Sequence, residues 1–109
     1  MLILKKDELS GHDVFEFMQG QLNKTHWLES SIYLTEEVIG KTGFVEVLAN
    51  NLVNFNYFGP TEVGKTDWGN IKRIVLSSDS VQMKQLLTEI DEWANVCFKK
   101  YPCFTICGL

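Results

Sequence analysis

Apolar residues recur at helical spacing between Asp79 and Lys99. Asp79 is a suitable N-cap for a helix, and Gln82 stands three residues later, where its side chain can bond back to the cap. Lys99 lies where the helix dipole favours a cation, and Pro102 prevents the helix from continuing. The pattern therefore predicts a helix over 79–99, with a buried stripe of Met83, Leu86, Leu87, Ile90, Trp93, Ala94, Cys97 and Phe98.

A second run of apolar residues at helical spacing lies near the start of the chain. Ser10 and Asp13 have the spacing of a capping box, which marks the first turn of a helix. The residues that would form its buried face follow directly. The sequence therefore predicts a helix over 10–23, with Val14, Phe17, Met18 and Leu22 on one side.

Shorter segments rich in β-branched and aromatic residues predict strands at 2–5, 31–35, 71–76 and 103–107. Residues 53–57 alternate apolar residues with asparagine, which predicts a further strand with one buried and one solvated face.

Two stretches between these strands are less regular. For residues 36–49 we predict strands at 37–39 and 44–49 joined by a turn at Gly40–Gly43, and the alternative is a helix that begins at Thr35. Residues 59–69 contain three glycines and predict a loop.

In chain order, these elements predict a single α+β domain over residues 1–109. We expect a mainly antiparallel sheet of about five to six strands. The two amphipathic helices, 10–23 and 79–99, are expected to pack on one face of that sheet.

Composition and charge narrow the classes of function. The 109 residues carry a formal net charge of −4, and no run of Lys and Arg exceeds two residues, so a nucleic-acid partner is not expected. No apolar run reaches the length of a membrane span, and the first residues do not have the charge order of a signal peptide. Three cysteines in such a chain predict reduced thiols and a cytoplasmic protein.

The most specific motif is Gly59-Pro60-Thr61-Glu62-Val63-Gly64-Lys65-Thr66, which fits the phosphate-binding pattern G-x-x-x-x-G-K-[ST]. Over these eight residues the chain resembles the phosphate-binding loop of AAA+ ATPases and related P-loop NTPases. The resemblance implies phosphate contacts from Gly59, Gly64 and Lys65 and a magnesium contact from Thr66.

The surroundings of this motif favour a surface loop without phosphate. The preceding segment, 53–57, alternates with Asn54 and Asn56, whereas the strand before a phosphate-binding loop is buried on both faces. If 71–76 is a strand, too few residues remain for the helical crossover that a parallel sheet needs. Nucleotide binding therefore stays the alternative function.

The remaining reactive residues do not form a recognisable catalytic or metal-binding pattern, so no catalytic residue, metal ion or cofactor is predicted. Cys103 and Cys107 are four residues apart on a predicted strand and cannot form a disulfide with each other. Two acid–base pairs are conceivable from sequence distance: His12 with Asp13 or Glu16, and His26 with Glu29.

The acidic balance and the polar, uncharged segment around the asparagines favour a protein-binding role. Asn54, Asn56, Glu62 and Asp67 are the predicted contact residues for a protein partner, which the negative charge suggests is basic. The sequence thus predicts a small acidic cytoplasmic binding protein: an inhibitor, an immunity- or antitoxin-type protein, or an adaptor. The likeness to immunity proteins is one of size and charge alone.

Overall fold

The structure is a computed structural model that describes residues 1–11 and 13–109. Within these residues the chain forms four strands and four α-helices. In chain order they are β1 (Val14–Gln19), β2 (Ile32–Thr35), α1 (Glu36–Lys41), α2 (Phe44–Asn51), β3 (Pro60–Gly64), α3 (Lys65–Leu76), α4 (Val81–Phe98) and β4 (Cys103–Cys107). The chain is therefore a small α+β domain.

The four strands form one antiparallel sheet in the order β2-β1-β4-β3. The register is set by pairs such as Phe17 with Ile32 on one side of β1 and Phe17 with Ile106 on the other. Strand β3 lies at one edge of the sheet. At the opposite edge, Leu4 exchanges two backbone hydrogen bonds with Tyr33 of β2.

One face of the sheet, here called the helix face, carries Phe15, Phe17, Phe104 and Ile106. These residues belong to one hydrophobic cluster together with side chains from all four helices. Aromatic rings fill its centre, because Phe104 lies within 6 Å of several of them: the ring centroids are 5.4 Å from Trp68, 5.4 Å from Trp93 and 5.8 Å from Phe17. The helices thus cover the helix face of the sheet.

The opposite face of the sheet, here called the loop face, is also buried. Its residues Val14, Glu16, Met18, Tyr33, Cys103, Thr105 and Cys107 are all less than 9% exposed. The connection 20–31 between β1 and β2 crosses this face: the Thr105 hydroxyl donates to the Gly20 carbonyl at 2.8 Å, and the Trp27 ring stacks on Tyr33 at 5.9 Å. Because both faces are covered, β1 is buried along almost its whole length.

The prediction of a helix over 10–23 is wrong, since this region contains β1. Phe15 and Phe17 point to the helix face, whereas Val14 and Met18 point to the loop face. A strand buried on both faces gives a continuous apolar run, and such a run also fits helical spacing.

The strand predictions at 37–39, 44–49 and 53–57 are also wrong. Residues 36–51 form α1 and α2, as in the helical interpretation, with the Thr35 hydroxyl accepting from the Val38 backbone N–H at 3.1 Å. Residues 53–57 form no strand, and Val53, predicted to lie on a buried face, is fully exposed.

The predicted loop 59–69 and strand 71–76 are replaced by β3 and α3. Strand β2, strand β4 and the long helix α4 are confirmed, although the N-cap of α4 is Ser80, which accepts from the Met83 N–H at 3.1 Å. At residues 2–5 the structure has only the isolated bridge at Leu4. The expected sheet of five to six strands with two helices is thus corrected to four strands with four helices.

Candidate functional site

One cleft on the described part of the chain has a volume of about 410 Å³. It lies between the first residues of the chain, the end of the 20–31 connection and the exposed side of α4. Ile3, Trp93 and Val96 supply apolar walls, and three carboxylates, from Glu29, Glu89 and Glu92, lie among its lining side chains. We call this the acidic cleft.

Trp93 forms a fixed wall of the acidic cleft. Its indole N–H donates to the Ser30 carbonyl at 2.8 Å, which ties α4 to the 20–31 connection. Its ring also meets Phe17 and Phe104 edge-on, at centroid distances of 6.4 and 5.4 Å. Because Trp93 is only 8% exposed and held on several sides, this wall is preorganised for binding.

Glu89 fixes the first residues of the chain, which form another part of the cleft wall. One carboxylate oxygen accepts from the backbone N–H groups of Leu2 and Ile3, at 2.8 and 3.0 Å. The other accepts from the Gln85 side chain at 3.1 Å. The bonds hold the start of the chain against α4, so Glu89 acts mainly as a structural acceptor.

Glu29 and Glu92 differ from Glu89, because both are exposed and neither has an ion pair or hydrogen bond with any described residue. Lys5 is the one cationic side chain among the residues that line the cleft. Among the side chains that line the cleft, carboxylates therefore outnumber cations three to one, and Ile3, Trp93 and Val96 add apolar surface. This combination favours a ligand with a positive charge and an apolar stem.

The loop face contains a second polar cluster around the buried carboxylate of Glu16. It accepts from the backbone N–H groups of Trp27 and Leu28, both at 3.0 Å, and from the Ser31 hydroxyl at 2.7 Å. Tyr33 donates its hydroxyl to the Leu28 carbonyl at 2.7 Å. The cluster fastens the 20–31 connection to the sheet.

His26 lies beside this cluster, with Nδ1 3.6 Å from a Glu16 oxygen. The predicted pairing of His26 with Glu29 is therefore not the one in the structure. The other predicted pair involves His12, which lies outside the described residues. His26 and Cys107 both line two smaller cavities of about 240 and 160 Å³.

The thiols near these cavities are not activated as nucleophiles. Burial, followed by the nearby Glu16 charge, raises the pKa of Cys107 to about 11. Burial and Glu62 raise the pKa of Cys103 to about 11, and burial raises the pKa of Cys97. All three thiols are free and stay protonated at neutral pH, so they act as small apolar groups.

No group of three or more His, Cys, Asp or Glu side chains in residues 1–11 and 13–109 could hold a metal ion.

The phosphate-binding pattern falls on a strand and the start of a helix. Pro60–Gly64 form β3, and the Gly59 carbonyl accepts from the Gly108 N–H at 2.9 Å. A phosphate-binding loop needs consecutive backbone N–H groups that converge on the ligand, whereas those of an extended strand point alternately to its two sides. Lys65 and Thr66 are exposed in the first turn of α3.

The four predicted partner contacts lie on three different elements. Asn54 and Asn56 are exposed in the 52–59 connection, where the Asn56 side chain accepts from the Phe58 N–H at 3.0 Å. Glu62 shares the loop face with Thr105, its partner in β4, whereas Asp67 belongs to α3, which packs on the helix face. Their role in binding stays a prediction.

The residues of the acidic cleft were not predicted as a site. Ile3, Glu29 and Glu92 come from three segments that are far apart in sequence, and no spacing rule brings them together. The acidic character of 89–92 was the one local signal.

Comparisons with models of protein families, with curated proteins and with solved structures find no match for this chain. Among the described residues, no helix is both long enough and apolar enough to span a bilayer.

Proposed function

We propose that this chain is a small acidic binding protein that acts by protein–protein interaction, with a basic protein as its partner. An inhibitor, an immunity- or antitoxin-type protein and an adaptor all act in this way. The observation that carries the proposal is the acidic cleft, whose lining combines the free carboxylates of Glu29 and Glu92 with apolar side chains.

Two physical properties of the cleft support a role in protein binding. Its walls are held by buried or internal hydrogen bonds at Trp93 and Glu89, so little conformational entropy is lost when a partner binds. Half-exposed Val96 adds apolar area next to the carboxylates, and interfaces commonly combine such an apolar centre with a polar rim.

Charge supports a basic partner in particular. The formal net charge of −4 attracts a cationic protein over a distance of about one Debye length, and the free carboxylates then select its orientation. A cleft of about 410 Å³ is too small to be a whole interface, and we assign it the role of an anchor within a larger contact area.

The experiment is affinity capture from the native host, followed by reconstitution with the purified partner. The test variant is Glu29→Gln with Glu92→Gln. The matched control is Glu62→Gln with Asp67→Asn, which removes the same charge at the sequence-predicted contact residues. Each double variant lowers the acidic count by two, so the formal net charge changes from −4 to −2 in both.

We expect the cleft variant to weaken the complex at least about tenfold, as for a central charged contact, and to reduce its sensitivity to salt. The control should change the affinity by less than about threefold, in line with a general loss of charge. Capture of a partner whose affinity depends on Glu62 and Asp67 but not on the cleft would move the interface to the sequence-predicted residues. Failure of both variants to affect the reconstituted complex would contradict the proposed basic-partner contact.

A further inference from the structure

The three carboxylates of the acidic cleft have different roles. Glu89 already accepts three hydrogen bonds, two from the backbone of Leu2 and Ile3 and one from Gln85. Its remaining capacity to bind a ligand is small. Glu29 and Glu92 accept none from described residues, so they are the acceptors available to a partner.

These two acceptors belong to different walls. Glu29 is in the 20–31 connection and Glu92 is on α4, and the Trp93–Ser30 hydrogen bond holds the two segments together. A ligand that satisfies both needs several donors that point in different directions. A guanidinium has five N–H donors in a fixed plane, whereas an ammonium is a compact point charge.

The apolar part of the cleft fits the rest of an arginine side chain. Ile3, Trp93 and Val96 can cover a methylene stem while the charged head stays at the partly wet rim. The volume of about 410 Å³ lies within the range of pockets that hold small ligands. Lys5 lines the same cleft but forms no ion pair with a described carboxylate.

We infer that the acidic cleft is a receptor for one arginine side chain of the partner, with Glu29 and Glu92 as acceptors and Ile3, Trp93 and Val96 as the surface for its stem. This inference rests on the proposed protein-binding function. It names the chemistry of the anchor, which the proposed function leaves open.

The test uses butylguanidinium as a probe, because it carries the head and stem of arginine without a peptide. Amide and indole NMR spectra of the full chain are followed during titration, with butylammonium and butanol as comparison ligands. The Ile3 amide and the Trp93 indole N–H are the reporters, since both form hydrogen bonds within the cleft walls. The variants are those used for partner capture, with Lys5→Gln added.

The expected result is saturable shifts at Ile3 and Trp93, with a Kd on the order of 10 mM, as suits so small a ligand. The double variant Glu29→Gln, Glu92→Gln should weaken binding at least about fivefold, and the Glu62→Gln, Asp67→Asn control should not. Lys5→Gln should strengthen binding about twofold, because it removes a like charge from the cleft lining. Butylammonium should bind more weakly than butylguanidinium, and butanol more weakly still.

Several outcomes would overturn the inference: no saturable shift up to about 100 mM probe, equal binding to the cleft variant, or tighter binding of butylammonium or butanol. The proposed function is tested separately by the reconstituted complex. If the probe fails while the complex still depends on Glu29 and Glu92, the cleft binds its partner through other chemistry. If the complex does not depend on them, the proposed function itself is wrong, whatever the probe does.

Discussion

The buried carboxylate of Glu16 accepts a hydrogen bond from the hydroxyl of Ser31 at 2.7 Å, although the two residues are fifteen positions apart. The same carboxylate accepts from the N–H groups of Trp27 and Leu28. The loop face is thus covered by the 20–31 connection rather than by helices, and Glu16 helps to hold that connection in place. The 20–31 connection is held there by polar contacts at Glu16 and by the stacking of Trp27 on Tyr33.

Replacing Glu16 with Gln should lower the free energy of unfolding by about 1–3 kcal/mol, because an amide cannot accept from every donor that the carboxylate serves. Urea unfolding followed by circular dichroism measures the change. Hydrogen exchange should show faster exchange of the Trp27 and Leu28 amides in particular. The matched control is Glu29→Gln, an exposed carboxylate with no hydrogen bond or ion pair to a described residue, which should change stability by less than about 0.5 kcal/mol.

This contact explains why the first strand could not be predicted from sequence. Glu16 stands in the middle of an apolar segment. The groups that donate hydrogen bonds to its carboxylate lie beyond Gln19, in a connection with no regular structure. Without that connection, Val14, Phe17 and Met18 fit one helical face. Only the long-range burial of both sides of β1 makes the strand the more stable choice.

The parts of the fold that were predicted correctly depend on local signals. Helix α4 has a stripe of buried residues, a side-chain cap and a terminating proline within one segment. The acidic cleft has no such local signal, because Glu29 and Glu92 line one cleft only in the folded chain, where the Trp93 indole donates to the Ser30 carbonyl. Composition suggested a basic partner, but the position of the cleft depended on the tertiary structure.

Two glycines should respond oppositely to substitution by alanine. Gly69 lies inside α3, and a Cβ there would meet no atom within 4 Å. Gly69→Ala should therefore raise the free energy of unfolding by about 0.5–1 kcal/mol, since alanine favours the helix. At Gly108 a Cβ would overlap the backbone carbonyl of Tyr57 and lie 3.0 Å from the Gly59 nitrogen.

Gly108→Ala should lower the free energy of unfolding by about 2 kcal/mol or more, because backbone atoms of the 52–59 connection would have to move. The backbone hydrogen bonds from Gly108 to Gly59 and from Leu109 to Tyr57 would also be strained. Both variants can be compared by urea unfolding under the same conditions. Equal stability of the two would show that β4 and the 52–59 connection separate more easily than their contacts suggest.

Lys65 provides a direct test of the phosphate-binding pattern. The side chain is exposed and forms no ion pair with a described residue, so Lys65→Ala should change stability by less than about 0.5 kcal/mol. Millimolar ATP or GTP with Mg²⁺ should leave the melting temperature of the wild-type chain unchanged, because Pro60–Gly64 are paired in β3. Stabilisation by nucleotide that Lys65→Ala abolishes would instead support nucleotide binding.

Ionisable groups on the loop face should make the protein sensitive to alkaline pH. Burial is the main reason that the pKa values of these groups are raised, and negative charge from Glu16 or Glu62 raises them further. The pKa of Cys103 and that of Cys107 are raised from 9.0 to about 11, and the pKa of Tyr33 is raised from 10.0 to about 12. The folded chain therefore keeps these protons at pH values where the unfolded chain loses them.

The free energy of unfolding should be independent of these groups well below pH 9 and should fall as the pH rises from about 9 to about 12, first through the two cysteines and then through Tyr33. In that interval the unfolded chain binds fewer protons than the folded chain, so each further rise in pH favours unfolding. Urea titrations at pH 7, 9 and 10 measure the decline. Replacing Cys103 and Cys107 with alanine should make it shallower, since the two groups then titrate in neither state. A decline of the same slope in that double variant would assign the alkaline sensitivity to other groups.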